Sequence, residues 1–130
     1  IDAVGFDFIS QPQVNASYHR RKPADENLFN AGKKDWTIEI SSFKSNTLVY
    51  DPEDFENFET FSMVLVDTDY NEDYFNLGKV FWAGEVVNEE RNKAVIRISE
   101  DEFTGKKMMI IFIDTYGNEL KVVKLKKDFK

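Results

Sequence analysis

The stretch Asp67-Thr68-Asp69-Tyr70-Asn71-Glu72-Asp73 places oxygen-bearing side chains at alternate positions. That spacing lets Asp67, Asp69, Asn71 and Asp73 turn toward one hard cation, which is what a calcium loop needs. A calcium loop of the helix–loop–helix type also needs Gly at its sixth position and a bidentate Glu at its twelfth. Glu72 stands at the sixth position here and Gly78 at the twelfth. The stretch therefore reads first as an acidic turn at a strand end, with a calcium site as the alternative.

His19-Arg20-Arg21-Lys22 is a compact basic cluster whose chemistry suits a phosphate contact from a loop. The bland reading, a solvated loop, stands beside it. The lone histidine has no evident partner nearby to orient it as a general base. Glu89-Glu90 and Asp101-Glu102 are adjacent pairs, and neighbouring strand residues point to opposite faces, so neither pair suits acid–base work. The chain contains no glycine-rich phosphate loop, no Gly-x-Ser-x-Gly elbow and no His-Glu-x-x-His. No catalytic and no cofactor-binding residue is assigned.

The elements that must hold these residues are mostly strands. Trp36, Ile38 and Ile40 alternate with polar residues, and Phe43 falls one place out of phase, as a bulge or strand end would produce. Val4, Phe6 and Phe8 alternate in the same way. Leu48-Val49-Tyr50 reads as an extension of the Trp36 segment. Asp51-Pro52 suits the start of a short helix that puts Phe55, Phe58 and Phe61 on one face. Phe61–Val66 is nearly all apolar and reads as a central strand buried on both sides. Val80–Ala83, continuing toward Val87, and Ala94–Ile98 flank the polar turn 88–93. Met108–Ile113 is the most apolar stretch, and Asp114-Thr115-Tyr116-Gly117-Asn118 supplies a hairpin turn into Leu120, Val122 and Leu125.

Roughly seven strands at this spacing, with at most one or two short helices, predict an all-β, antiparallel two-sheet sandwich of immunoglobulin-like type. The expected core is Phe6, Phe8, Trp36, Ile38, Ile40, Met63, Leu65, Phe81, Ile96, Ile98, Ile110, Phe112 and Val122, and Trp82 is also expected inside. The 130 residues suffice for one domain spanning 1–130, with residues 10–34 as a possible flexible insertion that could hold a short strand over 14–18. The start, Ile1-Asp2-Ala3, reads as a cut from a longer protein.

Charge narrows the partners. The net charge is −7, so the chain repels phosphate backbones and is a poor nucleic-acid binder by itself. There is no cysteine, which removes disulfides and thiolate metal sites. No apolar run reaches the length of a membrane helix. Ser45–Gly78 contains no Lys or Arg, whereas Lys121–Lys130 is Lys-rich, and either region could face a partner.

The later half also carries a resemblance. Phe61–Asn71 resembles a segment near the end of adenine-specific DNA methyltransferases, the modification subunits of type III restriction–modification systems. Gly105–Glu119 resembles the closing hairpin of the same region, and Phe75–Trp82 fits the order. Residues 4–9 and 35–49 match more loosely. The resemblance implies a cytoplasmic accessory domain at the C-terminal end of such an enzyme. It would serve docking, dimerisation or contact with a restriction subunit or a second methyltransferase subunit, rather than DNA directly. S-adenosylmethionine would bind only the parent's catalytic core. The family's Asp-Pro-Pro-Tyr motif and its Phe-x-Gly-x-Gly motif are both missing, and Asp51-Pro52-Glu53-Asp54 replaces neither, so no catalytic residue carries over. The strand–Asp-x-x-Gly-Asn–strand ending also resembles that of bacterial immunoglobulin-like domains, which implies a secreted or surface binding or spacer module as the alternative.

Overall fold

Alternation turns Trp36, Ile38 and Ile40 to one side of their strand, and that strand lies in the middle of a sheet. The computed structural model describes residues 11–130. Its strands are β1 (Gln13–Arg21), β2 (Asp35–Lys44), β3 (Phe61–Asp67), β4 (Lys79–Trp82), β5 (Ala94–Ile98), β6 (Lys107–Asp114) and β7 (Glu119–Leu125). One sheet has the order β1-β2-β5, the other β4-β3-β6-β7, and every pairing is antiparallel. Three strands in first-second-fifth order facing four in fourth-third-sixth-seventh order is an immunoglobulin-like arrangement, with the fourth strand at the edge of the four-stranded sheet.

Phe43 is out of phase because β2 carries a bulge. Asn15 of β1 faces Ser42, but Ala16 faces Ile40, so Ser41 is the extra residue. The bulge returns Phe43 to the inner face, where it is fully buried beside Phe61 at 4.7 Å between ring centres. Between the sheets lie Ile38, Ile40, Val64, Ile96, Ile98, Met108, Ile110 and Phe112.

Several expectations need correction. The inner residues of β3 are Val64 and Val66, not Met63 and Leu65, which are only half-buried. An all-apolar run has no phase of its own. A register shift between Phe61 and Met63 sets Val64 against Phe112 and Val66 against Ile110. Phe81 and Val122 are half-buried residues at the margin of the core. Trp82 is 52% exposed, on the outer face opposite Met63. Residues 10–34 are not an insertion throughout, because β1 runs through Gln13–Arg21 as an edge strand. The helical turn expected after Asp51 covers only Pro52–Asp54, and Phe61 belongs to β3. Phe6 and Phe8, and the strand expected over 4–9, lie outside the described residues.

The segment after Trp82 does not continue as a strand. The short helix α1 (Ala83–Val86) carries the chain from one sheet to the other, so β4 and β5 are not a hairpin. Only Val87 and Ala94 bridge across the turn.

At the opposite end, aromatic rings close the sandwich. Trp36 meets Phe103 edge-on at 5.0 Å and Phe129 at 5.3 Å, and Phe129 meets Tyr18 at 5.5 Å. Burial pushes the Tyr18 hydroxyl from 10.0 up to about 12. The folded chain thus keeps a proton that the unfolded chain has already released, so stability falls as pH rises from 10.0 toward about 12 and is level below. Tyr18→Phe should flatten that alkaline limb in urea unfolding measured across pH; an unchanged limb would mean that other groups cause it. In the same assay Phe43→Ala should cost about 3–5 kcal/mol. Trp82→Ala should cost about 1 kcal/mol or less. Equal losses for these two would refute the assignment of inner and outer faces.

Candidate functional site

The basic cluster does not form one surface. Successive residues of β1 point to opposite sides, which separates Arg20 from His19 and Arg21. The Arg20 guanidinium lies 3.7 Å over the Trp36 ring and donates to Glu100 Oε1 at 2.7 Å and to the Lys34 carbonyl at 2.9 Å. Arg21 pairs with Glu39 at 3.0 Å, and His19 Nε2 bonds to Ser17 Oγ at 2.8 Å. Lys22 is exposed.

The acidic turn is organised by its own backbone. Asp67 is buried at the end of β3; its Oδ1 accepts from the Asp69 N–H at 2.9 Å and its Oδ2 from the Asn76 N–H at 2.8 Å. Asn71 Oδ1 accepts from the Asp73 N–H at 3.0 Å. Gly105 is packed so tightly here that a Cβ would sit 2.8 Å from Asp69 Cα. Among the described residues no group of three or more His, Asp or Glu side chains is placed to hold a metal ion.

A cleft of about 400 Å³ opens between the β1–β2 and β5–β6 connections, lined by residues that include Phe29, Lys33, Asp35, Arg97 and Asp101. Burial raises the Asp35 carboxyl above its usual range, against the pull of Arg97. Lys33 is paired with Asp101 at 2.5 Å. The lining holds four acids against Lys33 and Arg97, and the chain's single histidine is not part of it.

Leu28 and Phe29 in the β1–β2 connection are exposed at this end, and apolar side chains are exposed at the other end of the sandwich as well. There the β2–β3 connection (45–60), the β4–β5 connection (83–93) and the β6–β7 turn (115–118) come together. Leu48 and Val49 are 70% and 78% exposed, and Tyr50 and Tyr116 are 51% and 55% exposed. Buried Phe55 links the tyrosines: Tyr50 lies 5.9 Å from it and Tyr116 6.2 Å, centre to centre. The apolar surface is therefore continuous across two connections.

This surface rests on a locked frame. Thr47 Oγ1 accepts from the Val49 and Tyr50 N–H groups at 3.2 and 2.9 Å, which holds Leu48-Val49 at the tip of a turn. Asp114, buried at the end of β6, accepts on Oδ1 from the N–H groups of Tyr116 and Asn118 at 3.0 and 2.8 Å. Its Oδ2 accepts from Ser45 Oγ at 2.7 Å. Ser45 has then given its proton away, so the Thr60 hydroxyl donates to Ser45 across 2.6 Å. The Thr115 N–H donates to the Thr60 carbonyl at 2.8 Å. Phe58 is fully buried with φ +64°, a costly conformation for a bulky residue. Its N–H donates to the Phe43 carbonyl at 3.0 Å and its carbonyl accepts from Arg91 Nη2 at 2.6 Å, which ties in the β4–β5 connection.

Sequence reasoning missed this surface by treating Leu48–Tyr50 as strand. The signal was the polar bracket on either side, Ser45-Asn46-Thr47 and Asp51-Pro52, which breaks the run. No helix among the described residues is long and apolar enough to cross a membrane. No family model, no curated protein and no solved structure matches the chain.

Asp114→Ala should cost about 2–4 kcal/mol, because three donors lose a buried acceptor. Ser45→Ala should cost about 1 kcal/mol. Chemical denaturation measures both, and a neutral Asp114→Ala would show that the frame does not depend on this carboxylate.

Proposed function

We propose that this chain is a non-catalytic interaction domain that docks a protein partner through the Leu48/Val49/Tyr50/Tyr116 end. The carrying observation is the continuous exposed aromatic surface held on a hydrogen-bonded frame. Tyrosine-rich, preorganised surfaces lose little entropy on binding, and exposed apolar patches of this kind mark interaction sites. The position agrees with the fold. In immunoglobulin-like variable domains, the loops between the second and third strands and between the last two lie at the binding end. That argument is one of analogy between folds.

The resemblance of Phe61–Asn71 and Gly105–Glu119 supports one parent in particular, a type III-like adenine-specific DNA methyltransferase in the cytoplasm. The partner is then a restriction subunit or a second methyltransferase subunit. The immunoglobulin-like strand order favours a second reading, a secreted or surface-anchored binding or spacer module.

A photo-crosslinking residue placed at Tyr116, with another at Trp82 on the outer sheet face as control, tests the docking reading in the source cell. The expected result is one adduct, from position 116, identified by peptide mass mapping as a restriction or modification subunit. That protein, purified, should bind the Tyr50→Ser/Tyr116→Ser chain at least about tenfold more weakly than the unaltered chain. A crosslink from Trp82 alone, or a partner indifferent to the two substitutions, overturns it.

A further inference from the structure

The connections at the docking end carry an unbalanced charge. Residues 45–60, 83–93 and 114–118 hold nine Asp and Glu against two Lys and Arg. The remaining described residues hold thirteen against fifteen, close to balance. Eight of the nine acids are exposed, and the ninth is the buried Asp114. None of the eight is in an ion pair among the described residues, although six ion pairs form wholly elsewhere and a seventh joins Lys93 to Glu39 of β2. At the opposite end, Glu100, Asp101, Glu102 and Glu72 are matched by Arg20, Lys33, Lys79 and Lys107. Asp25, Glu26, Asp69 and Asp73 are unpaired at that end too, but its connections (22–34, 68–78, 99–106 and 126–130) hold nine Asp and Glu against seven Lys, so the larger excess lies at the end that bears the aromatic surface. Asp51 follows Tyr50 directly in the chain with Glu53 two places further on, and Arg91 ties the segment holding Glu85, Glu89 and Glu90 to the same frame.

We infer that the occupant of this surface is a basic polypeptide segment that carries apolar side chains, its Lys and Arg facing the acidic rim and its apolar residues covering Leu48, Val49 and the two tyrosines. This rests on the docking reading above and adds the chemistry of the partner. Nucleic acid is disfavoured by the same charges, and an anionic membrane surface likewise. An apolar centre with a charged rim gives affinity from the centre and selectivity and association rate from the rim.

Fluorescence anisotropy with the whole chain tests it, using three labelled peptides of equal length. One alternates Leu with Lys, one Leu with Glu and one Gly with Lys. The Leu/Lys peptide should bind, and more weakly at physiological salt than at low salt. The other two should bind at least about tenfold more weakly. Binding of the Leu/Lys peptide should fall about tenfold in Glu53→Gln/Glu85→Gln/Glu89→Gln, and as far in Tyr50→Ser/Tyr116→Ser. Asp25→Asn/Glu26→Gln, at the opposite end, should leave it unchanged. All of these substitutions are at exposed side chains, and circular dichroism checks that the variants stay folded. Equal binding of the Leu/Glu or the Gly/Lys peptide overturns the inference, as does equal loss from substitutions at either end. A crosslinked partner that covers Tyr116 with an uncharged or acidic segment leaves the docking reading standing and removes this one. No crosslink at Tyr116 removes both.

Discussion

A buried carboxylate with no cation beside it is tolerated only where other donors replace the water it has lost. The described residues include two such groups, at the ends of the two central strands of one sheet. Asp67 closes β3 and Asp114 closes β6, and because these strands are antiparallel neighbours the two lie at opposite ends of the sandwich. Each collects N–H groups from the connection that follows it, two for Asp67, and two with a serine hydroxyl for Asp114. Turn shape at both ends depends on this demand. The same carboxylate chemistry that suggests a cation loop in the sequence is spent on the protein's own backbone.

Charge is partitioned between the two ends for a related reason. The aromatic closure around Trp36 takes up cations: Arg20 stacks on Trp36, Lys124 lies 4.6 Å over Tyr18 and Lys126 lies 5.1 Å over Phe103. Such contacts hold long basic side chains against rings, which cover the stems. The Lys-rich tail noticed in the sequence is therefore part of the closure, with Phe129 buried and the Lys130 N–H donating to the Tyr18 carbonyl at 3.0 Å. Since most Lys and Arg lie outside the Tyr50/Tyr116 end, its acids keep their field.

Strands were legible with or without a clear period, but in the all-apolar runs the facing was read correctly for Ile110 and Phe112 and wrongly for Met63 and Leu65. The alternation in Trp36–Ile40 and the out-of-phase Phe43 correctly indicated a buried face and a bulge. The Asp114–Asn118 turn was equally plain, with Gly117 at φ +86° taking the position that requires a left-handed backbone. Phe61–Val66 and Met108–Ile113 are apolar at nearly every position, so only their register with each other could say which residues face the core. That register leaves Met63, Leu65, Met109 and Ile113 half-buried on the outer face. Trp82 was misplaced because burial was inferred from residue type, although its strand partner is Met63 and not Val64. The Leu48–Tyr50/Tyr116 surface was illegible because its residues come from two connections more than 60 positions apart, joined through Phe55, Asp114 and the Thr115–Thr60 backbone hydrogen bond.

Why such a surface should be built on a locked frame follows from the cost of binding. Exposed loops ordinarily lose conformational freedom when they dock, and that loss subtracts from affinity. Here the cost has been met during folding, through the Thr47 turn, the strained Phe58 and the Asp114 network. A bulky residue held at positive φ is costly unless its surroundings fix it, and both of its backbone polar groups are satisfied while its ring is fully buried. Stability alone does not call for Leu48 and Val49 at the tip of a turn, since polar residues would satisfy the same backbone and expose no apolar area. Strain and exposed apolar area retained together, on one rigid end, are what a surface shaped for a partner would be expected to combine.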